Sequence, residues 1–198
     1  MTNRVKTMLM LFFDYALCLF LAFVCMFAFS MILKYNWGNI LYSTFFCIVL
    51  FGMLYSRTHR AAKKDMLHKV ERTPYEGLIM VLPLAILNLV LALGFALIQS
   101  NVIPVRDLVV DTVYSFPENA PREATDVLLI DVITPVIRAW FAILVGFMRS
   151  GTNAALLFVM PALNLVAGLL GYIAGRKKFF LSDHVFVAKE KVKEKFNE

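Results

Sequence analysis

Four stretches of this chain are long enough and poor enough in charge to cross a bilayer, and that feature limits its possible folds more than any other. A helix needs ~20 predominantly apolar residues to span a hydrocarbon core of ~30 Å. Met8–Leu33 satisfies this with a single charge, Asp14. Asn39–Tyr55 is shorter but uncharged, Leu78–Gln99 has Asn88 as its strongly polar interior residue, and Ala154–Gly175 has Asn164. In lipid each backbone polar group must find its partner within the segment, so these stretches are expected to be helices. The composition agrees: 60% of residues are apolar and 17% charged, against roughly 45–50% and about 25% in an ordinary globular domain. A soluble single domain, a disordered chain and a disulfide-stapled secreted module are excluded on that ground. The expected fold is all-α, a polytopic helix bundle over residues 1–176 followed by a basic amphipathic tail, 177–198.

A fifth apolar stretch, Leu128–Met148, contains both Asp131 and Arg138. Each costs roughly 2.5–3.5 kcal/mol at a helix centre in the bilayer. The basic residues show how to treat it. Ser56–Gly77 carries Arg57, Arg60, Lys63, Lys64, Lys69 and Arg72, while seven more lie from Arg176 onward. With Arg4 and Lys6 these make fifteen of the twenty Lys and Arg residues. Ser100–Val127 is acidic instead, with Asp107, Asp111, Glu118, Glu123 and Asp126 against Arg106 and Arg122. Cations gather on the cytoplasmic side, so all three basic segments belong inside and the acidic loop outside.

Five crossings from an inside N-terminus would leave the basic tail outside. Four full crossings resolve the conflict if Leu128–Met148, with Asp131, Pro135 and Arg138, is re-entrant or interfacial. Two alternatives remain open from sequence. In one, Leu128–Met148 crosses and Ala154–Gly175, broken at Pro161, is re-entrant; in the other, five segments cross and the tail is outside. The first apolar run exceeds the ~7–15-residue core of a cleavable signal, so it is expected to stay in the membrane.

On the cytoplasmic side, Ser56–Arg72 reads as a helix ended by Thr73-Pro74, with Ala62, Met66 and Val70 as its apolar stripe. In the tail, Val185, Ala188, Val192 and Phe196 share one helical face. Arg57, Arg60, Lys63, Lys64, Arg176, Lys177 and Lys178 are the candidate docking residues for anionic lipid or an acidic protein partner. Each basic residue near a charged leaflet contributes ~1 kcal/mol. The simpler explanation is that these charges only set topology. No groove-reading motif occurs, and nucleic acid is not an expected partner. In the outer loop, Val105, Leu108, Val109, Val113 and Phe116 have helical spacing and predict a short interfacial helix. Its acids lack the spacing of a calcium loop.

Polar residues within the apolar stretches are the other candidates. Asp14 is expected near the inner surface, favoured by the positive end of its helix and by Arg4 and Lys6. Asp131, Thr134, Pro135 and Arg138 share a face, with the two charges roughly 10 Å apart along the axis. They either line a small aqueous vestibule or face headgroups and pair elsewhere. Asn88 and Asn164 sit in matching Leu-Asn-Leu-Val strings and suit interhelical hydrogen bonds. Asp131, Thr134, Arg138, Asn88 and Asn164 are therefore the ligand-pathway candidates. Cys18 and Cys25 lie two turns apart, beyond disulfide reach. His59, His68 and His184 lack metal-ligand spacing, and no nucleophile, dinucleotide or phosphate-loop motif is present. No catalytic residue, metal or cofactor is expected. The function that follows is a non-enzymatic accessory or scaffold protein, multi-pass in the cell membrane with both termini cytoplasmic. The alternative is a small-solute transporter or substrate-binding membrane subunit using Leu128–Met148.

Overall fold

A computed structural model describes residues 3–28, 32–70, 72–104, 108–115, 123–148 and 154–177. It is mostly helical, as the apolar runs require, and four helices are long and apolar enough to span a membrane. Helix α1 is Asn3–Ala28, α2 is Asn36–Leu67 and α3 is Glu76–Gln99. A hairpin of β1 (Val109–Ser115) and β2 (Glu123–Leu128) leads into α4, Leu129–Trp140, and then a 3₁₀ helix, Ala142–Phe147. The last long helix is α5 (Ala154–Leu157) continued by α6 (Val159–Arg176). Its one irregularity has a local cause. Pro161 has no N–H to give the Leu157 carbonyl four residues back, so the chain restarts its helix there.

Two expected elements are corrected. The helix expected over Ser56–Arg72 is present as far as Leu67 and continues the preceding apolar stretch: α2 runs unbroken for 32 residues, because nothing at Tyr55-Ser56 interrupts its backbone ladder. It also ends before Thr73-Pro74. Lys69 adopts a left-handed φ of 50°, which lets its N–H donate to Met66 O and that of Val70 donate to Asp65 O at 2.9 Å, closing the helix end. In the outer loop, Val109 and Val113 belong to an antiparallel hairpin with Val113 opposite Thr125, not to a helix. β-Branched and aromatic residues over Val109–Tyr114 favour a pleated strand over helical spacing. Val105 and Phe116 lie outside the described residues, as do Lys178 and the tail beyond it.

The bundle closes around α6. Gly168 sits on Gly77 and Val81 of α3, Gly171 on Tyr55 and Thr58 of α2, and Gly175 on His59 and Ala62. A Cβ at Gly171 would fall 2.5 Å from Tyr55 O and closer still to Thr58 Oγ1. Small residues at this spacing let helix backbones approach where no side chain would fit. The buried apolar core, including Leu50, Leu54, Met80, Leu84, Met160 and Tyr172, fills the space around that seam.

Leu128–Met148 is divided. At 12 residues, α4 is about 18 Å long, and the 3₁₀ helix after Phe141 has 6. The break is held by other helices. Tyr15 Oη donates to Trp140 O at 3.2 Å, Trp140 Nε1 donates to Asn88 Oδ1 at 2.8 Å, and Gly146 N donates to Ser43 Oγ at 2.8 Å. Backbone groups released at the helix end thus find partners on α1 and α2.

Candidate functional site

Polar groups gather at the end of the bundle where α1 begins and α6 ends. Asp65 of α2 and Glu76 of α3 have side chains only 4% and 3% exposed. Two buried carboxylates need cations and donors close by, and two helices and a loop supply them. Arg72 Nη1 lies 3.4 Å from Asp65 Oδ2 and 3.1 Å from Glu76 Oε1. Arg4 of α1 donates from Nε to Glu76 Oε1, and Tyr172 Oη of α6 donates to Asp65 Oδ2 at 3.1 Å. Arg176 closes the set by donating to the Arg72 carbonyl. All four long helices meet in this network, so Arg4 and Arg176 lie at one end.

A second charged site lies farther along α1 and α2. Asp14, 5% exposed, accepts two hydrogen bonds from Arg57, from Nε at 2.7 Å and from Nη2 at 2.6 Å. This bidentate fit is the geometry for which a guanidinium is suited. Among the described residues the third nitrogen, Nη1, meets only the Met10 thioether, at 3.4 Å, and sulfur is a weak acceptor. Beside the pair is an open cleft of about 360 Å³, lined on its polar side by Asp14, Ser56, Arg57 and Arg60 and on its apolar side by Val49, Gly52 and Met53. A Cβ at Gly52 would meet nothing within 4 Å. Asp14 is therefore not paired with Arg4 or Lys6 as its place in the chain suggested; Arg4 goes to Glu76, and Asp14 goes to a helix 43 residues away.

The docking candidates divide in two. Arg57 is committed to Asp14, whereas Arg60, Lys63, Lys64, Arg176 and Lys177 are exposed at the same end of the bundle. Arg60 has no carboxylate within ion-pair distance among the described residues. The pathway candidates do not converge on one cavity. Asp131 is exposed and accepts from the Leu128 N–H at 3.3 Å, acting within the first turn of α4. Thr134 Oγ1 donates back to Ile130 O at 2.7 Å, and Arg138 is exposed one turn further on. Asn88 is fully buried and anchors Trp140. Asn164 is fully buried too, yet neither side-chain polar atom has a partner among the described residues.

Asp65, Glu76, Tyr172 and Arg72 carry most of the buried polar network, and sequence reasoning passed over all four as site residues. The signal was there: Asp65 and Glu76 are acids set among six cations in Ser56–Gly77, and an acid in so basic a segment is a candidate ion-pair partner. Among the described residues no three His, Cys, Asp or Glu converge as a metal-ligand set. The chemistry at this end suits anions: guanidinium and ammonium groups are exposed, and Arg60 stands on a cleft with an apolar wall. Comparison with protein-family models, curated proteins and solved structures returns no match.

Proposed function

We propose that this is a multi-pass membrane protein with four crossings, whose basic end faces the cytoplasm and docks anionic lipid of the inner leaflet, as a non-enzymatic accessory or scaffold protein. In this arrangement α1, α2, α3 and α5–α6 cross, and Leu129–Met148 dips in and returns without crossing. The observation that carries the proposal is the overhang of α2. Its 32 residues measure about 48 Å, well beyond a ~30 Å hydrocarbon core. The surplus turns present Arg60, Lys63 and Lys64 beside Arg176 and Lys177, all exposed. Anionic leaflets attract such clusters at ~1 kcal/mol per basic residue, within a Debye length. The solute-pathway alternative gains no support from α4, where Asp131 and Thr134 bond to their own helix.

Two measurements test this. The chain is reconstituted in phosphatidylcholine vesicles with spin-labelled phosphatidylglycerol or spin-labelled phosphatidylcholine, and the motionally restricted fraction of each is compared. Preference for phosphatidylglycerol is expected, weakened by high salt and by Lys63→Gln with Lys64→Gln; equal restriction of the two lipids would sink the docking role. Lys177→Cys should resist an impermeant maleimide on intact cells, and labelling from outside would overturn the orientation.

A further inference from the structure

We infer that the Asp14–Arg57 cleft is a stoichiometric binding site for the phosphodiester of one anionic phospholipid, distinct from the diffuse attraction of the basic end. The inference rests on the membrane arrangement proposed above and deepens it. The first consideration is depth. The charge-free run Gly77–Gln99 of α3 is about 34 Å long, close to the hydrocarbon thickness, which sets Gly77 near its cytoplasmic edge. Gly77 packs on Gly168, and Gly171, less than one turn further along α6, packs on Tyr55 and Thr58. Arg57 and Arg60 therefore leave α2 near the same edge, where lipid phosphates lie.

The second consideration is chemistry. Asp14 takes two donors of Arg57 and fixes its plane, leaving Nη1, among the described residues, with only the Met10 sulfur. Arg60 lies about one turn toward the cytoplasm on the same cleft wall, which Ser56 also lines. One carboxylate and two guanidiniums leave the cleft one positive charge, which matches a phosphodiester monoanion. Forked N–H donors suit phosphate oxygens. That same net positive charge disfavours the cationic headgroup of a zwitterionic lipid. The third consideration is shape. Beneath the charges the wall turns apolar at Val49, Gly52 and Met53, and the missing side chain at Gly52 leaves room for an acyl chain. A free phosphate would have no use for that wall, so the ligand is a lipid of the inner leaflet.

The test uses the full chain purified in mild detergent and native mass spectrometry with phosphatidylglycerol or phosphatidylcholine of matched chains. One retained phosphatidylglycerol is expected, favoured over phosphatidylcholine by about tenfold or more, as loss or gain of a charge-assisted hydrogen bond implies. Arg60→Gln should lower that affinity by about tenfold. Gly52→Leu, which blocks the acyl groove without touching a charge, should do the same while leaving the circular dichroism spectrum unchanged. Lys63→Gln with Lys64→Gln should leave the single tight lipid in place. Retention unaffected by both Arg60→Gln and Gly52→Leu overturns the site. Loss confined to the lysine variants also overturns it and leaves the diffuse docking role standing. Displacement of the lipid by inorganic phosphate would overturn the assignment to lipid. Conversely, a retained lipid without any salt-sensitive preference in vesicles overturns the diffuse role and leaves this site standing.

Discussion

Helix α2 has two faces that use glycine in opposite ways. Toward α6, Gly171 and Gly175 allow backbone to meet backbone, and any Cβ at Gly171 would collide with Tyr55 O and Thr58 Oγ1. Toward α1, Gly52 borders open space and a charged cleft. The α2–α6 side is a closed seam, completed at its end by Tyr172 on Asp65; the α1 side is held by the Asp14–Arg57 pair and, farther along, by Tyr42 Oη donating to Ala22 O at 2.7 Å. A closed seam offers nothing to a ligand, while the open face combines charge, donors and room. The difference puts the tightest packing on one face of α2 and leaves the other open to the recognition proposed above.

This contrast can be broken at several points. The largest effect is expected from Gly171→Leu. Overpacking commonly costs about 1–3 kcal/mol, and here the obstructing Tyr55 carbonyl is backbone that cannot rotate away, so about 3 kcal/mol is expected. Denaturation by sodium dodecyl sulfate in mixed micelles, followed by far-UV circular dichroism, measures it. An unchanged midpoint would mean the seam is loose.

Next comes Asp14→Ala. Removing one partner of a buried ion pair costs about 3–5 kcal/mol, but the Arg57 side chain is 29% exposed, so about 2 kcal/mol is expected after allowing for screening. The double variant Asp14→Ala with Arg57→Met should recover part of that loss in the same assay, because no orphaned charge remains. Further loss in the double variant would show that Arg57 is held by groups other than Asp14.

The smallest effect separates the two asparagines that look alike in sequence. Asn88→Ala strands the Trp140 indole N–H and should cost about 1–2 kcal/mol, with a shift in tryptophan fluorescence. Asn164→Ala removes two unpartnered polar atoms and should stay within about 1 kcal/mol of the parent. Equal costs would show that Asn164 has a partner in solution.

The division of labour between sequence and tertiary structure follows particular residues. The four long helices were legible from their apolar runs, and the odd segment was legible from Asp131, Pro135 and Arg138. Its break, however, lies beyond all three. Pro135 sits inside α4, and the helix stops at Trp140 because Tyr15 and Ser43 satisfy the backbone groups that the break releases. The outer hairpin was misread as helix because Val109 and Val113 fit a helical spacing as well as a strand's alternation. Pairing with Glu123–Leu128 decides between them.

Taken alone, the sequence determined that the chain forms long apolar helices and that its cations collect on particular segments. Both properties are local: a helix in an apolar medium satisfies its own backbone, and charge is carried wherever the residue is. Which charges are buried and which stay at the surface was decided by tertiary structure. Arg57, Arg72 and Arg4 look like neighbours of equal standing among the basic residues, yet Asp14, Asp65 and Glu76 engage them, while Arg60, Lys63 and Lys64 stay exposed. The Asp14–Arg57 and Arg4–Glu76 pairs join residues 43 and 72 positions apart. Their register depends on how deeply each helix slides past the next, which is set by packed contacts such as those at Gly77, Gly168 and Gly171.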